Sequence, residues 1–180
     1  VFDWWRKMLE GKNVNLRVAE KEDAPLIAEW WNDMRYLGEH QGLMTISKTQ
    51  TEKKILENPN FFIIEKKDGT KIGHVDGWIK GSGVIEIGFA IVPSERRKGY
   101  GTETVRLMVD YYFLTKDIVR IEARTGKDNL SSQKALEKAG FSNEGIMRKS
   151  LFARGKYIDM CLYSILREEW KGPKILTKTD

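Results

Sequence analysis

Glu86-Ile87-Gly88-Phe89-Ala90-Ile91-Val92-Pro93 runs directly into Ser94-Glu95-Arg96-Arg97-Lys98-Gly99-Tyr100-Gly101-Thr102. The first part reads as a strand and Ser94–Gly101 as a basic, glycine-containing loop, with Thr102–Leu114 as the helix it feeds. Gly99 and Gly101 let several backbone N–H groups converge, and the helix adds the positive end of its dipole. Arg96, Arg97 and Lys98 supply cations at the same place. Such a junction suits a diphosphate. A dinucleotide fingerprint would need a third glycine, where Glu103 and Thr104 stand. A Walker loop would need Gly-Lys-Ser/Thr, which the chain lacks. The plain alternative is a surface turn that caps a helix and exposes three cations.

Working outward, Phe61–Glu65, Ile72–Ile79 and Val84–Val92 read as an antiparallel meander, turned by Asp68-Gly69 within Lys67–Thr70 and by Gly81-Ser82-Gly83. Upstream, Val14–Val18 is a strand. Asp23-Ala24-Pro25 opens a helix with Asp23 as its cap, and Leu26, Ile27, Trp30 and Trp31 form its apolar face. Asn32–Gly42 reads as an irregular connection carrying Tyr36, Glu39 and His40, and Ser47–Leu56 as a second helix ended by Asn58-Pro59. Downstream come a strand at Arg120–Ala123 and a helix at Ser131–Ala139, stopped by Gly140. Two strands follow, Glu144–Phe152 and Tyr157–Leu166, joined across Ala153–Lys156, and from Lys171 onward the tail is basic and expected to be loose. This order implies an α/β (α+β) fold, a mixed central sheet of about seven strands flanked by about four helices. One domain over 1–180, its core from about 12 to 170, accounts for the whole chain.

The 180 residues are 41% hydrophobic and 32% charged, too apolar for a disordered chain. No apolar run reaches the ~20 residues of a membrane helix, and the amino terminus lacks a signal peptide's continuous apolar stretch. Cys161 stands alone, which excludes an internal disulfide and paired-cysteine zinc sites and points to a reducing, cytoplasmic compartment. His40 and His74 are isolated, so no metal site is expected. A net charge of +5 favours an anionic ligand. Nucleic acid is disfavoured, because basic residues outside 96–98 are scattered and no base-stacking motif is present.

Arg96-Arg97-Lys98-Gly99-Tyr100-Gly101 resembles the Gln/Arg-x-x-Gly-x-Gly/Ala acyl-CoA loop of the GNAT superfamily of N-acyltransferases. Glu86-Ile87-Gly88-Phe89 precedes it at the expected place. Asn129 to Phe141 resembles the superfamily's fourth helix, and Asp159 to Trp170 resembles the closing strand of its RimJ/RimL-like branch, which includes enzymes that acetylate the N-termini of ribosomal proteins.

The resemblance implies that the strand splays from its parallel neighbour to admit acetyl-CoA as co-substrate. Phe89, Ala90, Ile91 and Val92 would then offer backbone groups to the pantetheine arm, with an N–H near Ala90–Ile91 facing the thioester oxygen. Backbone N–H groups from Arg97 to Thr102, Tyr100 among them, would hold the diphosphate, and Asn129 would approach the pantetheine or sulfur. Glu86 is expected either as general base or as a structural carboxylate. Ser132 is expected to hydrogen-bond the departing thiolate, or simply to begin its helix. Leu136 and Leu151 depart from the family's tyrosine acid and second carboxylate. Trp31 and Tyr36 are expected beside the acceptor, one of Trp30 and Trp31 facing the core. His74 is expected as a satisfied sheet histidine. The acceptor is a protein N-terminal α-amine or a small amine such as an aminoglycoside or polyamine, and a non-catalytic acyl-CoA sensor is the rival class. An α-amine is ~10–20% neutral at pH 7 and needs roughly 3 to 4 kcal/mol less help with deprotonation than a lysine. A homodimer is also common among similar proteins.

Overall fold

Side chains of Phe61–Lys66 (β3), Lys71–Gly81 (β4) and Val84–Ile91 (β5) point alternately to the two faces of a sheet, and the three pair as the expected antiparallel meander. The computed structural model describes residues 9–42 and 44–174. Its other strands are Leu9–Glu10 (β1), Val14–Val18 (β2), Arg120–Gly126 (β6), Ser142–Ala153 (β7) and Lys156–Leu166 (β8). They form one sheet in the order β1-β2-β3-β4-β5-β6-β8-β7. Every neighbouring pair is antiparallel except β5 and β6. That parallel pair needs a crossover, and the helix after the basic loop, Tyr100–Thr115 (α4), supplies it.

The helices Ala24–Asn32 (α1), Met34–Leu37 (α2), Lys48–Glu57 (α3) and Leu130–Ala139 (α5) complete the fold. Eight strands replace the expected seven because Leu9–Glu10 pairs with Asn15 and Leu16. The turn between them is fixed by Glu103 of α4, which accepts hydrogen bonds from the Asn13 amide (2.7 Å), Asn13 Nδ2 (2.8 Å) and the Val14 amide (3.3 Å). The sheet therefore begins before residue 12. The fifth helix is the single turn α2, within the segment expected to be irregular; Asp33 caps it through the Arg35 amide at 2.8 Å.

One face of the sheet packs Leu16, Phe62, Ile64, Ile87 and Ile121 against Val105, Leu107, Met108 and Tyr112 of α4. On the other face, Ile27, Trp30, Trp31, Tyr36 and Ile55 cover Phe61 and Ile63 as a second core. Helices α1–α3 thus shield the β2–β4 end of that face, and the stretch carrying Trp78, Arg124 and Glu144 keeps contact with solvent.

Two local expectations need correction. Asp23 makes no side-chain cap for α1. Its buried carboxylate is taken up by Arg17 (2.9 Å to each oxygen) and Lys71 (2.6 Å). Burial alone would raise its pKa, but bonds from Arg17, the Glu20 amide and Lys71 hold it at about 2. In the tail, the Lys174 amide donates to Asp110 Oδ2 at 3.2 Å and Trp170 Nε1 donates to Asp110 Oδ1 at 2.8 Å, so the chain is anchored on α4 as far as Lys174. The rest of the tail, 175–180, lies outside the described residues.

Candidate functional site

The Val92 amide donates to the Ile72 carbonyl at 2.9 Å, and this fixes which backbone groups of β5 point where. In an antiparallel ladder, alternate residues turn both N–H and C=O to the same neighbour. Even-numbered residues of β5 therefore face β4, and odd-numbered ones face β6. Pairing with β6 ends at Ile87↔Ala123, although β6 continues to Gly126, held there by β8 through Gly126↔Met160. The two parallel strands part at Gly88. Phe89 and Ile91 carry the β6-facing row of backbone groups into the opening. Ala90 and Val92, expected to share this duty, have their backbone groups turned to β4 instead, Ala90 opposite His74 and the Val92 amide on Ile72.

At the far end of β5, a helical turn at Pro93–Glu95 leads into the basic loop. Arg97 is left-handed with φ 62°, and so is Gly99, the N-cap of α4, with φ 88°. Gly99 has no side chain to cap the helix, so the amides of its first turn are left to an outside acceptor. Gly101 packs so closely on Phe89 that an added Cβ would lie 3.0 Å from Phe89 Cε2. Loop and opening are thereby joined.

The three cations of the loop turn out to differ. Arg96 is engaged with protein: Nε donates to the Ile91 carbonyl (2.9 Å), and Nη2 to the carbonyls of Arg35 (3.0 Å) and Tyr36 (2.8 Å). Lys98 pairs with Glu95 at 2.9 Å. Among the described residues, no carboxylate lies within ion-pair distance of Arg97, which is exposed. On the other side of the opening, Asn129 caps α5, its Oδ1 accepting from the Ser132 amide at 3.2 Å, and its own amide donates to the Gly126 carbonyl. Both residues thus sit just beyond the end of β6.

Trp31 and Tyr36 lie inside the second core at 8% and 2% exposure, as does Trp30 at 8%. Sequence spacing separates the two tryptophans by 100°, but α2 covers what the sheet does not: Trp30 stacks on Tyr36, and Trp31 meets Phe61 and His74 edge-on. Tyr36 and Trp31 back β4 and β5 instead of lining an open surface. The Tyr36 hydroxyl lies 2.6 Å from His74 Nδ1 and 3.2 Å from the Ala90 carbonyl. Burial lowers the His74 pKa to about 4, so the ring is neutral at physiological pH.

Glu86 is 6% exposed, with Lys80 Nζ at 3.1 Å and Arg124 Nε at 3.4 Å from Oε2. Next to it on the same face, Arg120 bridges Glu122 (3.0 Å) and Glu144 (2.7 Å), and Ser164 donates to Glu144 at 2.5 Å. Two residues of this face escaped the sequence reading: Asp76 and Trp78 on β4, opposite Gly88 and Glu86. Their signal in the sequence is the alternation of His74, Asp76 and Trp78 with the small or apolar Gly73, Val75 and Gly77. Burial pushes the Asp76 carboxyl up to about 7. Among the described residues, no cluster of His, Cys, Asp and Glu could hold a metal, and no helix is long and apolar enough to cross a membrane.

Residues 13–142 match the family described as the Acetyltransferase (GNAT) domain. The chain is 31% identical over 178 residues to "Probable N-acetyltransferase YjcK" of Bacillus subtilis (strain 168), covering 90% of this chain and 98% of that protein. In fold it resembles the ribosomal-protein-S5-alanine acetyltransferase of Vibrio fischeri, with TM-score 0.78, 22% identity and coverage of 90% and 97%. It also resembles the spermidine N-acetyltransferase of Vibrio cholerae, solved with CoA and spermine, with TM-score 0.76, 22% identity and coverage of 87% and 97%. With parted parallel strands, a left-handed basic loop and an uncapped helix start in one place, and with the match covering the strands and the helix that carry them, the chain belongs to the GNAT family of acetyl-CoA-dependent N-acetyltransferases.

Proposed function

We propose that the chain, as one N-acetyltransferase domain of the cytoplasm, transfers acetyl to a protein N-terminal α-amine. The observation that carries this reading is the charge balance of the open face beside the parted strands. Glu86 is matched by Lys80 and Arg124, and Glu122 and Glu144 by Arg120. Asp76 is the one carboxylate there without an ion-pair partner among the described residues. A polyamine or aminoglycoside brings several positive charges and needs several free carboxylates to meet them. A peptide terminus brings one.

In this reading, the backbone groups of Phe89 and the amide of Ile91, whose carbonyl is held by Arg96, receive the pantetheine arm and the thioester oxygen. The amides from Arg97 to Thr102 hold the diphosphate, with Arg97 adding charge. Arg96 shapes the site from behind by gripping Ile91. Asn129 and Ser132 lie where the departing sulfur passes. Glu86 takes the structural role of the two first weighed for it, fixing Arg124 at the mouth of the opening.

The test is an acetyl-transfer screen that follows thiol release from acetyl-CoA with tripeptides bearing a free α-amine, with spermidine and with kanamycin. Peptide turnover with kcat/KM at least tenfold above the polycations is expected. Preferential turnover of spermidine or kanamycin overturns the acceptor assignment. Tight acetyl-CoA binding with no thiol release from any amine would instead identify a sensor.

A further inference from the structure

Asp76 and Gly88 face each other across β4 and β5, and Gly88 is the first residue after the last β5–β6 pair. Because Gly88 has no side chain, the space above its Cα is bounded by its neighbours. A Cβ placed there would lie 3.5 Å from Asp76 Oδ1 and 3.5 Å from Cη2 and Cζ3 of the Trp78 indole. A carboxylate and an aromatic ring therefore converge on one point, at the crotch where the strands part. Trp78 is 40% exposed, which is unusual for the largest side chain on a sheet face and leaves ring surface open to a ligand. Carboxylate plus indole is a recognition pair for an ammonium group, by charge and by the ring quadrupole.

We propose that Asp76 and Trp78 form the ammonium site of the acceptor and that Asp76 is the catalytic base which removes its proton. The assignment rests on the transferase reading above and names the reacting form of its substrate, a singly charged primary ammonium. The protonated amine enters, and its N–H proton passes to the Asp76 carboxylate, leaving a neutral nitrogen and a carboxylic acid. The nitrogen lone pair forms the new C–N bond at the thioester carbon. The C–S bond breaks, and the sulfur leaves with its electron pair. The second proton lost by nitrogen goes to that sulfur, giving amide and thiol, and Asp76 returns its proton to solvent.

The groups facing Asp76 are consistent with this task. His74, two residues along the same strand, is neutral at physiological pH. From α3, Lys54 tempers the effect of burial by its charge. From α2, the Tyr36 hydroxyl is pushed above its usual range and stays protonated, as does that of Tyr112, which lies on the opposite sheet face beneath Gly77. Glu86, next on the same face of β5, is ion-paired with Lys80 and Arg124, although its buried Oε2 accepts no hydrogen bond among the described residues. The upward shift of Asp76 itself places it near the pH at which a base is most effective.

The experiment compares wild type with Asp76→Asn and Trp78→Leu. It uses acetyl-CoA and two acceptor probes, an alanine tripeptide amide and Nα-acetyl-lysine amide, from pH 6 to 9.5, with acetyl-CoA affinity measured by calorimetry. Asp76→Asn is expected to keep acetyl-CoA affinity within threefold and to lose about 100-fold or more in kcat/KM. It should also lose the rising limb near pH 7, so that activity follows each amine's own pKa. Trp78→Leu, at an exposed position, is expected to raise KM for the amine about tenfold with kcat nearly kept. An Asp76→Asn enzyme within threefold of wild type with the limb intact overturns the base assignment. An unchanged amine KM in Trp78→Leu overturns the ammonium site. A wild type that fails to bind acetyl-CoA or to acetylate either probe overturns the transferase reading beneath both.

Discussion

The guanidinium of Arg96 holds the carbonyl of Ile91 at 2.9 Å while gripping two carbonyls of α2, so one side chain ties the strand at the opening to the helix behind it. The sequence places Arg96 among the cations for a diphosphate; in the structure its guanidinium is engaged with these protein carbonyls instead.

Arg96→Ala is accordingly expected to weaken acetyl-CoA binding about tenfold and to speed amide exchange in α2 and at Phe89–Ile91, since hydrogen bonds from a charged donor contribute about 1.5–3 kcal/mol each when buried and less here. Arg97→Ala is expected to lower acetyl-CoA affinity by a salt-dependent factor without changing exchange in α2. Calorimetry at two salt concentrations, with hydrogen exchange, separates these roles.

Gly101 lies against the ring of Phe89 in the first turn of α4. Gly101→Arg should abolish acetyl-CoA binding, because its side chain would start 3.0 Å from the Phe89 ring and displace the strand end that frames the opening, and far-ultraviolet circular dichroism checks that the variant is folded. Retained affinity in a folded variant refutes the loop assignment. Gly99→Ala meets no neighbour but forces an L-residue to φ 88°, at a cost of about 1 kcal/mol.

His74 imposes a pH dependence on stability. Its folded pKa, about 4, lies below the 6.5 of a free imidazole, so the unfolded chain binds the proton more readily. The neutral ring's contribution is whole above pH 6.5 and is lost as pH falls toward 4, roughly 3 kcal/mol in all. Urea melts at pH 7 and pH 4.5 should show this loss in wild type and a flatter response in His74→Phe. Tyr36→Phe should cost about 1–3 kcal/mol at either pH by leaving the imidazole short of its partner.

Glu86→Gln should retain the shape of the pH–rate profile and lose about 1 kcal/mol of stability, because both cationic partners are about a third exposed and well screened. A displaced acidic limb, seen in initial rates from pH 6 to 9, would return Glu86 to the base role.

Much of the sheet could be read from local pattern. Val14–Val18 is found at its expected bounds, and α3 begins at the capping box of Ser47 and Gln50. The loop was legible because it combines glycine and charge within a few residues. What stayed hidden depends on distant partners. Asp23 reads as a helix cap until Arg17 and Lys71 are seen to claim it. Two neighbouring tryptophans both turn inward because a one-turn helix, invisible to a periodicity of 3.6, closes over them. Asp76 and Trp78 gain meaning only from Gly88, whose bare backbone is brought opposite by strand register.

Amide chemical shifts on titration of the labelled protein with acetyl-CoA test the central claim most directly. Saturable shifts centred on Phe89, Ile91 and Arg97 to Thr102, with smaller ones at Asn129, are expected. Shifts centred away from the parting of β5 and β6, with those amides unmoved, would contradict it.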